Sequence, residues 1–352
     1  MLRWKLLIGK VVPSIMPQEV TTEVSGLNVT WPDGHMSVYP WKWLYRHRDS
    51  RKLKSTILSE TADDTVYWSS EIENNAPSIH YDEVMASDKG VGKWTSMIKK
   101  YGFCYVDGCP VDPDKTQKLL ERIAFIRQTH YGGFYDFTSD LMLKDTAYTT
   151  EALGPHTDNT YFTDPSGLQM FHLLSHEEGT GGESFFVDGF NAAHALERED
   201  PLKYKQLCKT PVPWHASGNK GMTITPAQSY PVLNTLYEPY QDKIEARTLY
   251  QVRWNNADRG VIPIEKRTGT AVALWYEAAR SFDTILKRKD MQYRVQLEPG
   301  RAIIFDNWRV LHAREAFTGK RRMCGGYINR DDWISRWRNT NWERQEVLNE
   351  IL

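Results

Sequence analysis

The sequence is poor in cysteine: Cys104, Cys109, Cys208 and Cys324 are the only four in 352 residues. No two of them form a CxxC pair, and four are too few for a disulfide framework in a chain of this length. They read as reduced, mostly buried thiols of an intracellular protein. No stretch of about 18 consecutive apolar residues occurs, which excludes an obvious membrane-spanning helix. Charge of one sign is lacking too. Lys and Arg total 44 against 45 Asp and Glu, a formal net charge of -1. That balance argues against a protein that coats nucleic acid. Low-complexity tracts and fixed-period repeats are absent. So are GxGxxG, GxxxxGK[ST] and GxSxG, which removes the signatures of dinucleotide, P-loop and esterase sites.

Aromatic residues are plentiful, at 12% with 13 Trp and 18 Tyr. This is more than a core strictly needs, and some are candidates to line a site. Residues 24–39 read as strand, turn and strand around Pro32-Asp33-Gly34. They open a small β-rich N-terminal domain assigned to residues 1–75. Residues 76–352 form the larger domain. Residues 82–100 read as helix, 102–106 as strand, and Pro113 opens a helix reaching about Gln128. Short apolar strands follow at 167–174, 184–187, 248–254, 293–297, 301–305 and 327–328. One long helix covers 267–288. Short strands with long insertions suggest a β-sandwich or barrel with added helices. The first 18 residues carry Arg3, Lys5 and Lys10 and no acid. This bias resembles an organelle presequence, but its apolar residues are equally suited to packing.

Gly154-Pro155-His156-Thr157-Asp158 is the first candidate metal-binding stretch. Positions i and i+2 of an extended chain point the same way, so His156 and Asp158 can face one ion. Alone, an HxD pattern is common by chance, and a loop histidine capped by aspartate is its bland reading. The run GRAIIFDNWRVLHAR over 300–314 supplies His312 as a third ligand. Two imidazoles and one carboxylate on one face leave positions open on an octahedral ion, which suits non-haem iron(II). Zinc is the competing metal and would imply hydrolysis, but no general base accompanies these ligands. Arg321, in Thr318-Gly319-Lys320-Arg321-Arg322, is placed to grip a co-substrate carboxylate, against the alternative of a solvated basic turn. His172 and His176 sit on a strand, where an i,i+4 pair does not converge on one ion.

The blocks HTDNTYFTDPSGLQMFHLL, GGESFFVDGFNAAHAL, RWNNADRG and DNWRVLHAREAFTGKRRMCGGY resemble the trimethyllysine dioxygenase branch of the gamma-butyrobetaine/trimethyllysine dioxygenase family. This family lies within the taurine-dioxygenase-like oxygenases. The resemblance runs over about residues 20–335. It implies a double-stranded β-helix, or distorted jelly roll, with a small N-terminal domain. It also implies iron(II) held by His156, Asp158 and His312, with 2-oxoglutarate and dioxygen as co-substrates and ascorbate as reductant. Arg321 matches the arginine that binds the distal carboxylate of 2-oxoglutarate. Asn255 and Asn256 match a substrate-binding asparagine pair. Tyr131, Tyr135, Tyr148 and Tyr327 match an aromatic cage for a trimethylammonium group. The physical basis is that a quaternary ammonium has no N–H to donate, whereas ring faces attract it at about 0.5–2 kcal/mol each.

Tyr135 stands where the animal enzymes carry Trp. Asp145 stands where the sibling enzyme has an asparagine, and no oxoglutarate contact is assigned to it. The sibling's N-terminal zinc site needs three cysteines, yet WLYRHRDSRKLKS has none, so this domain lacks that site. The implied activity is hydroxylation of N6,N6,N6-trimethyl-L-lysine at carbon 3, the first step of carnitine biosynthesis. Gamma-butyrobetaine or another quaternary amine is the alternative substrate, and a non-catalytic methyl-lysine binder is a remote one. The expected partner is a small quaternary ammonium amino acid, with no nucleic acid and no membrane. A homodimer and a cytoplasmic location, or alternatively a mitochondrial one, complete the expectations.

Overall fold

The computed structural model describes residues 16–47, 64–138, 150–218, 220–236, 248–262 and 269–351. The chain divides into two compact units, 1–59 with 349–352, and 60–348. In the first unit β1 (Glu19–Thr22), β2 (Gly26–Thr30) and β3 (Met36–Pro40) form an antiparallel sheet in that order. The β2–β3 turn is the expected one. Trp31 N donates to His35 O at 2.8 Å, and Gly34 sits at φ 79°, where a Cβ would be strained. β1 escaped the reading because EVTT is exposed throughout and has no apolar alternation. Helix α1 (Trp41–His47) follows.

The division at 59/60 falls earlier than the sequence reading placed it. Residues 66–75 pack with the second unit. Trp68 is buried there, its N–H donating to Asp188 Oδ2 at 3.2 Å and its indole to Tyr101 O at 2.6 Å. Ile72 joins the same core cluster as Phe103 and Tyr105.

The second unit is built on two sheets. A six-stranded sheet runs β4 (Ser78–His80), β5 (Phe103–Asp107), β13 (Arg301–Asp306), β8 (Leu168–Glu177), β15 (Lys320–Ile328), β6 (Tyr135–Thr138). A four-stranded sheet runs β12 (Tyr293–Val295), β9 (Ser184–Asp188), β14 (Val310–Arg314), β7 (Leu153–His156). All pairings are antiparallel except β4 with β5. A separate pair joins β10 (Leu233–Thr235) to β11 (Leu249–Val252). From β6 to β9, and again from β12 to β15, the chain moves back and forth between the two large sheets. Phe103, Leu173, Ile303 and Phe305 of the six-stranded sheet meet Phe186, Tyr293 and Val310 of the four-stranded one in a single core.

Helices cover the outer faces. α2 (Tyr81–Ala86), α3 (Asp88–Tyr101), α4 (Pro113–Glu121) and α8 (Arg330–Asn341) pack on the six-stranded sheet through Val84, Trp94, Leu120 and Trp333. α5 (Gly189–Glu199), α6 (Pro201–Lys209) and α7 (Gly269–Leu286) pack on Val187 and Leu311 of the four-stranded sheet. α9 (Arg344–Ile351) follows α8.

The helix expected over 82–100 is split at Ser87, which is extended (φ -161°, ψ 163°) and whose side chain accepts from Gly90 N. The helix expected to reach Gln128 stops at Glu121. Beyond it Arg127 N donates to Tyr327 O at 2.7 Å and Ile126 bridges Ile328, so β15 draws the segment out of helix. All four cysteines are free and buried. Among the described residues no helix is long and apolar enough to cross a membrane.

Candidate active site

The two candidate imidazoles come from adjacent strands of the four-stranded sheet, where His156 of β7 pairs in register with His312 of β14. Their ring centroids are 4.2 Å apart. Asp158 lies two residues past His156. Between them Thr157 turns the other way, donating its N–H to Trp254 O at 2.8 Å and accepting from Trp254 N at 3.0 Å. His156 and Asp158 therefore share a side, as the i,i+2 spacing requires. Asp158 Oδ1 lies 3.4 Å from His156 Nε2 and 3.6 Å from His312 Nε2. Among the described residues these three form the one His/Cys/Asp/Glu group whose ligand atoms converge, all within 4.8 Å of one another.

Neighbouring groups hold the three ligands. Asn307, in the turn between β13 and β14, accepts from Asp158 N at 2.8 Å and donates to Asp158 O at 2.9 Å and Ser166 O at 3.0 Å. The strand carrying His312 and the loop carrying Asp158 are thereby tied together. Asn159 takes φ 59°, unusual outside glycine, and its Oδ1 accepts from Ser166 Oγ at 2.6 Å. Such local backbone strain clusters at functional sites. Buried Arg253 donates to Thr160 O, Phe162 O and Thr163 O at 2.8–3.1 Å, pinning the rest of the loop. His156 Nδ1 lies 2.9 Å from Gly154 O. A carbonyl only accepts, so Nδ1 carries the proton and Nε2 keeps its lone pair for a metal. His312 is held by its ring instead, 5.0 Å from Phe305 and 5.4 Å from Phe171.

Electrostatics favour one carboxylate and two donor imidazoles. Burial alone would raise Asp158, but His312, His156 and the Tyr327 hydroxyl hold it well below the usual carboxylate range. His312 is pushed down to about 3 by burial and by His156, against the pull of Asp158, so it is neutral at ordinary pH. Burial also opposes protonation of His156, but its bond to Asp158 outweighs this and raises it. A metal ion at Nε2 would replace that proton.

The three ligands open into a cavity of about 470 Å³. Tyr131, Tyr135 and Tyr327 all line it, as does Asn255; Asn256 is not among its lining residues. Tyr148 and Asp145 lie outside the described residues. Tyr135 Oη donates to Met170 O at 2.7 Å, and its ring stands 6.0 Å from that of Tyr327 at a 65° tilt.

Arg321 also lines the cavity. It is 3% exposed, and no carboxylate pairs with it among the described residues; its nearest noted contacts are the Phe317 ring at 5.1 Å and the Met323 sulfur at 3.9 Å. Burial lowers its pKa. A buried cation with no anion beside it is costly in isolation. Its neighbour Arg322 is the solvated residue of the basic turn, paired with Asp136 at 2.6 Å. His172 and His176 have no part in the site. His172 is buried against Thr116 at 2.7 Å, and His176 Nε2 is 2.8 Å from Thr318 O.

Sequence reasoning missed several groups that line the same cavity: Gln169, Tyr161, Phe171, Asp258 and Arg314. Tyr161 and Tyr131 share a hydroxyl hydrogen bond. Asp258 accepts from Thr160 Oγ1 at 2.7 Å. Arg314 is pushed down to about 10 by burial and by Arg321. In the sequence, Gln169 and Tyr161 sat inside blocks already noted for other reasons, and nothing local marked them.

Residues 65–327 match the family model "Taurine catabolism dioxygenase TauD, TfdA family". The chain belongs to this family and is an enzyme of the iron(II)- and 2-oxoglutarate-dependent oxygenase class. Within the family its relatives point to one branch. It is 50% identical to the trimethyllysine dioxygenase of Neurospora crassa, over 97% of this chain and 76% of that protein. It is 38% identical to the mitochondrial trimethyllysine dioxygenase of Homo sapiens, over 91% of this chain and 73% of that one. Among solved structures, an asparagine oxygenase in complex with Fe(II), 2S,3S-3-hydroxyasparagine and succinate superposes with a TM-score of 0.51 at 13% identity. That match covers 70% of this chain and 83% of the other, and shows a shared fold.

Proposed function

We propose that this enzyme hydroxylates N6,N6,N6-trimethyl-L-lysine at carbon 3, with His156, Asp158 and His312 as the iron ligands and Arg321 as the clamp on 2-oxoglutarate. The observation that carries the reading is a convergent His-Asp-His set opening into a cavity with tyrosine rings and a buried, carboxylate-free arginine. The donor set fits iron(II): two neutral imidazole nitrogens and one carboxylate oxygen on one face leave room for a bidentate co-substrate and dioxygen. Arg321 fits 2-oxoglutarate, because a planar guanidinium meets a carboxylate through two parallel bonds. When bound, iron with 2-oxoglutarate and dioxygen supplies the oxidising power for C–H hydroxylation, releasing succinate and carbon dioxide.

The chain's own residues bind and aim. The rings of Tyr131, Tyr135 and Tyr327 take the trimethylammonium end, with Tyr148 as the expected fourth wall. Asn255 meets the amino-acid end through its amide, its Oδ1 already accepting from Ala257 N at 3.0 Å. Asn256 stands beside it at the start of a short 3-10 turn, Asn256–Asp258. Holding both ends fixes which methylene faces the metal.

The alternation of strands between the two sheets supports a double-stranded β-helix. The three-stranded sheet at residues 19–40 is its small N-terminal companion, which we assign to dimer formation. A cytoplasmic location is retained for the enzyme, on the reduced state suited to four free buried thiols. The alternative location is mitochondrial.

The test is incubation with iron(II), ascorbate, 2-oxoglutarate and trimethyllysine, with mass-spectrometric analysis of the product. Expected are stoichiometric succinate and a product heavier by one oxygen at carbon 3. Turnover of gamma-butyrobetaine in preference to trimethyllysine would overturn the substrate. Absence of succinate with every quaternary amine would overturn the site.

A further inference from the structure

The two oxygens of Asp158 have different surroundings. Oδ1 faces the Nε2 atoms of both histidines, at 3.4 and 3.6 Å. Oδ2 faces away from them and accepts from Gln169 Nε2 at 2.7 Å and from Tyr327 Oη at 2.6 Å. Gln169 on β8 and Tyr327 on β15 are register partners across the six-stranded sheet, and their side-chain tips stand 3.4 Å apart. The backbone of Asp158 is fixed on both sides by Asn307. Turning the carboxylate so that both oxygens face the histidines would break two charge-assisted hydrogen bonds inside a buried site. Tyr327 also lines the cavity, and its ring lies against that of Tyr135. One side chain thus touches both the space for a ligand and a carboxylate of the metal set.

We propose that Gln169 and Tyr327 are positioning residues that keep Asp158 a one-oxygen metal ligand, and that Tyr327 passes the presence of a cation in the cavity on to that ligand. The first part needs only a metal at the three residues; the second rests on the cationic substrate proposed above. A carboxylate bound through both oxygens would take a position that the bidentate co-substrate and dioxygen need. With Oδ2 engaged by two donors, only Oδ1 is available. A cation against the Tyr327 ring draws electron density from it and makes the phenolic O–H a stronger donor. The bond to Oδ2 strengthens, and Oδ1 gives less to the metal. Filling the cavity is felt at the metal without movement of the backbone.

Cobalt(II) tests this, because its visible absorption reports coordination number and ligand field. The full chain is stripped of metal and titrated with cobalt(II), before and after trimethyllysine is added. Tyr327→Phe keeps the ring and loses only the O–H. Gln169→Met keeps the length and loses the N–H. Tyr105→Phe is the control, since that hydroxyl donates to Tyr293 Oη, away from the cavity. Each of the first two substitutions should change cobalt affinity by about 10- to 100-fold, the usual size of effect when a metal ligand loses a partner. Each should also alter the spectrum before any substrate is present, while Tyr105→Phe leaves it unchanged. Trimethyllysine should shift the wild-type spectrum. Calorimetry should show Tyr327→Phe still binding trimethyllysine, but with the shift lost.

Circular dichroism identifies any variant that does not fold, in which case the other variant decides. Unchanged cobalt affinity and spectrum in a folded variant would overturn the lock. A full spectral shift in Tyr327→Phe would overturn the transmission. Wild-type protein that binds no trimethyllysine would overturn the substrate reading, and with it the transmission, while the cobalt titration still judges the lock.

Discussion

Replacing Arg321 with methionine should move two quantities in opposite directions. In the protein without co-substrate, Arg321 is a buried guanidinium with no carboxylate beside it among the described residues, resting against the Phe317 ring at 5.1 Å. Burial disfavours its charge. Methionine has similar length, no charge and the flexibility to fill the space. Losing the cation–π contact costs about 0.5–2 kcal/mol, and removing an uncompensated buried charge returns at least as much. The thermal midpoint of the ligand-free variant should therefore be unchanged or rise by about 2–4 °C.

With 2-oxoglutarate the sign reverses. Leaving the distal carboxylate buried and unpaired costs about 3–5 kcal/mol, so the co-substrate should bind roughly 150- to 4,000-fold more weakly. The ligand-induced rise in midpoint shrinks to match, since it follows the logarithm of ligand concentration over the dissociation constant. Differential scanning fluorimetry with and without 2-oxoglutarate reads both effects in one protein preparation. A variant that loses stability without ligand and keeps its 2-oxoglutarate response would show that Arg321 is a structural cation.

His156→Ala and Asp158→Ala should each abolish succinate release and bound iron, measured by metal analysis, while the circular dichroism spectrum persists; near-normal turnover in either would refute the ligand set. Tyr131→Ala should raise the KM for trimethyllysine by about 2- to 30-fold and leave the KM for a neutral carbon isostere nearly unchanged; equal losses on both would indicate a folding role. His172 is buried, bonded to Thr116 and pushed down to about 4 by burial. Between pH 6.5 and 4 the unfolded chain then binds a proton that the folded one refuses, so stability falls with falling pH, by about 3 kcal/mol from this residue. His172→Gln should flatten that part of the midpoint-against-pH curve, and a slope identical to wild type would refute the assignment.

The candidate metal ligands were legible because their pattern is local. His156 and Asp158 lie in one extended stretch, and the apolar run that becomes β13 delivers the chain to His312. The residues that hold the ligands were not legible, because their partners are remote. Asn307 bonds Asp158 across 149 positions, and Arg309 ties Asp188 across 121. Nothing in the letters DNW distinguishes a turn that staples a metal loop from any other turn. Helix ends failed for a related reason. The helix at Pro113 had sequence propensity to continue, but β15 claimed residues 126–127 through backbone bonds. β1 was invisible because a fully exposed strand carries no apolar alternation. Arg321 illustrates the limit from the other side. Thr318-Gly319-Lys320-Arg321-Arg322 reads as a basic turn, and the alternation of β15 alone decides that Arg321 is buried while Arg322 is exposed.

The charges around the cavity bear on how it is filled. Among the described residues its ionisable carboxylates are Asp158 and Asp258, and its guanidiniums are Arg314 and Arg321. With the imidazoles neutral, these four cancel. Iron(II) and 2-oxoglutarate also cancel, one a dication and the other a dianion, so either alone leaves the buried site unbalanced and each favours the other. Once both are bound, no spare carboxylate among the described residues faces a cationic substrate. Selection of the cation then falls to ring faces, which attract it without a counter-ion. A trimethylated ammonium suits such a wall because it sheds water cheaply and has no N–H left wanting. Unmethylated lysine would bring three donors into a pocket of rings, and leaving them unpaired costs more than the rings return. A wall of rings that accepts the methylated cation would therefore reject its precursor.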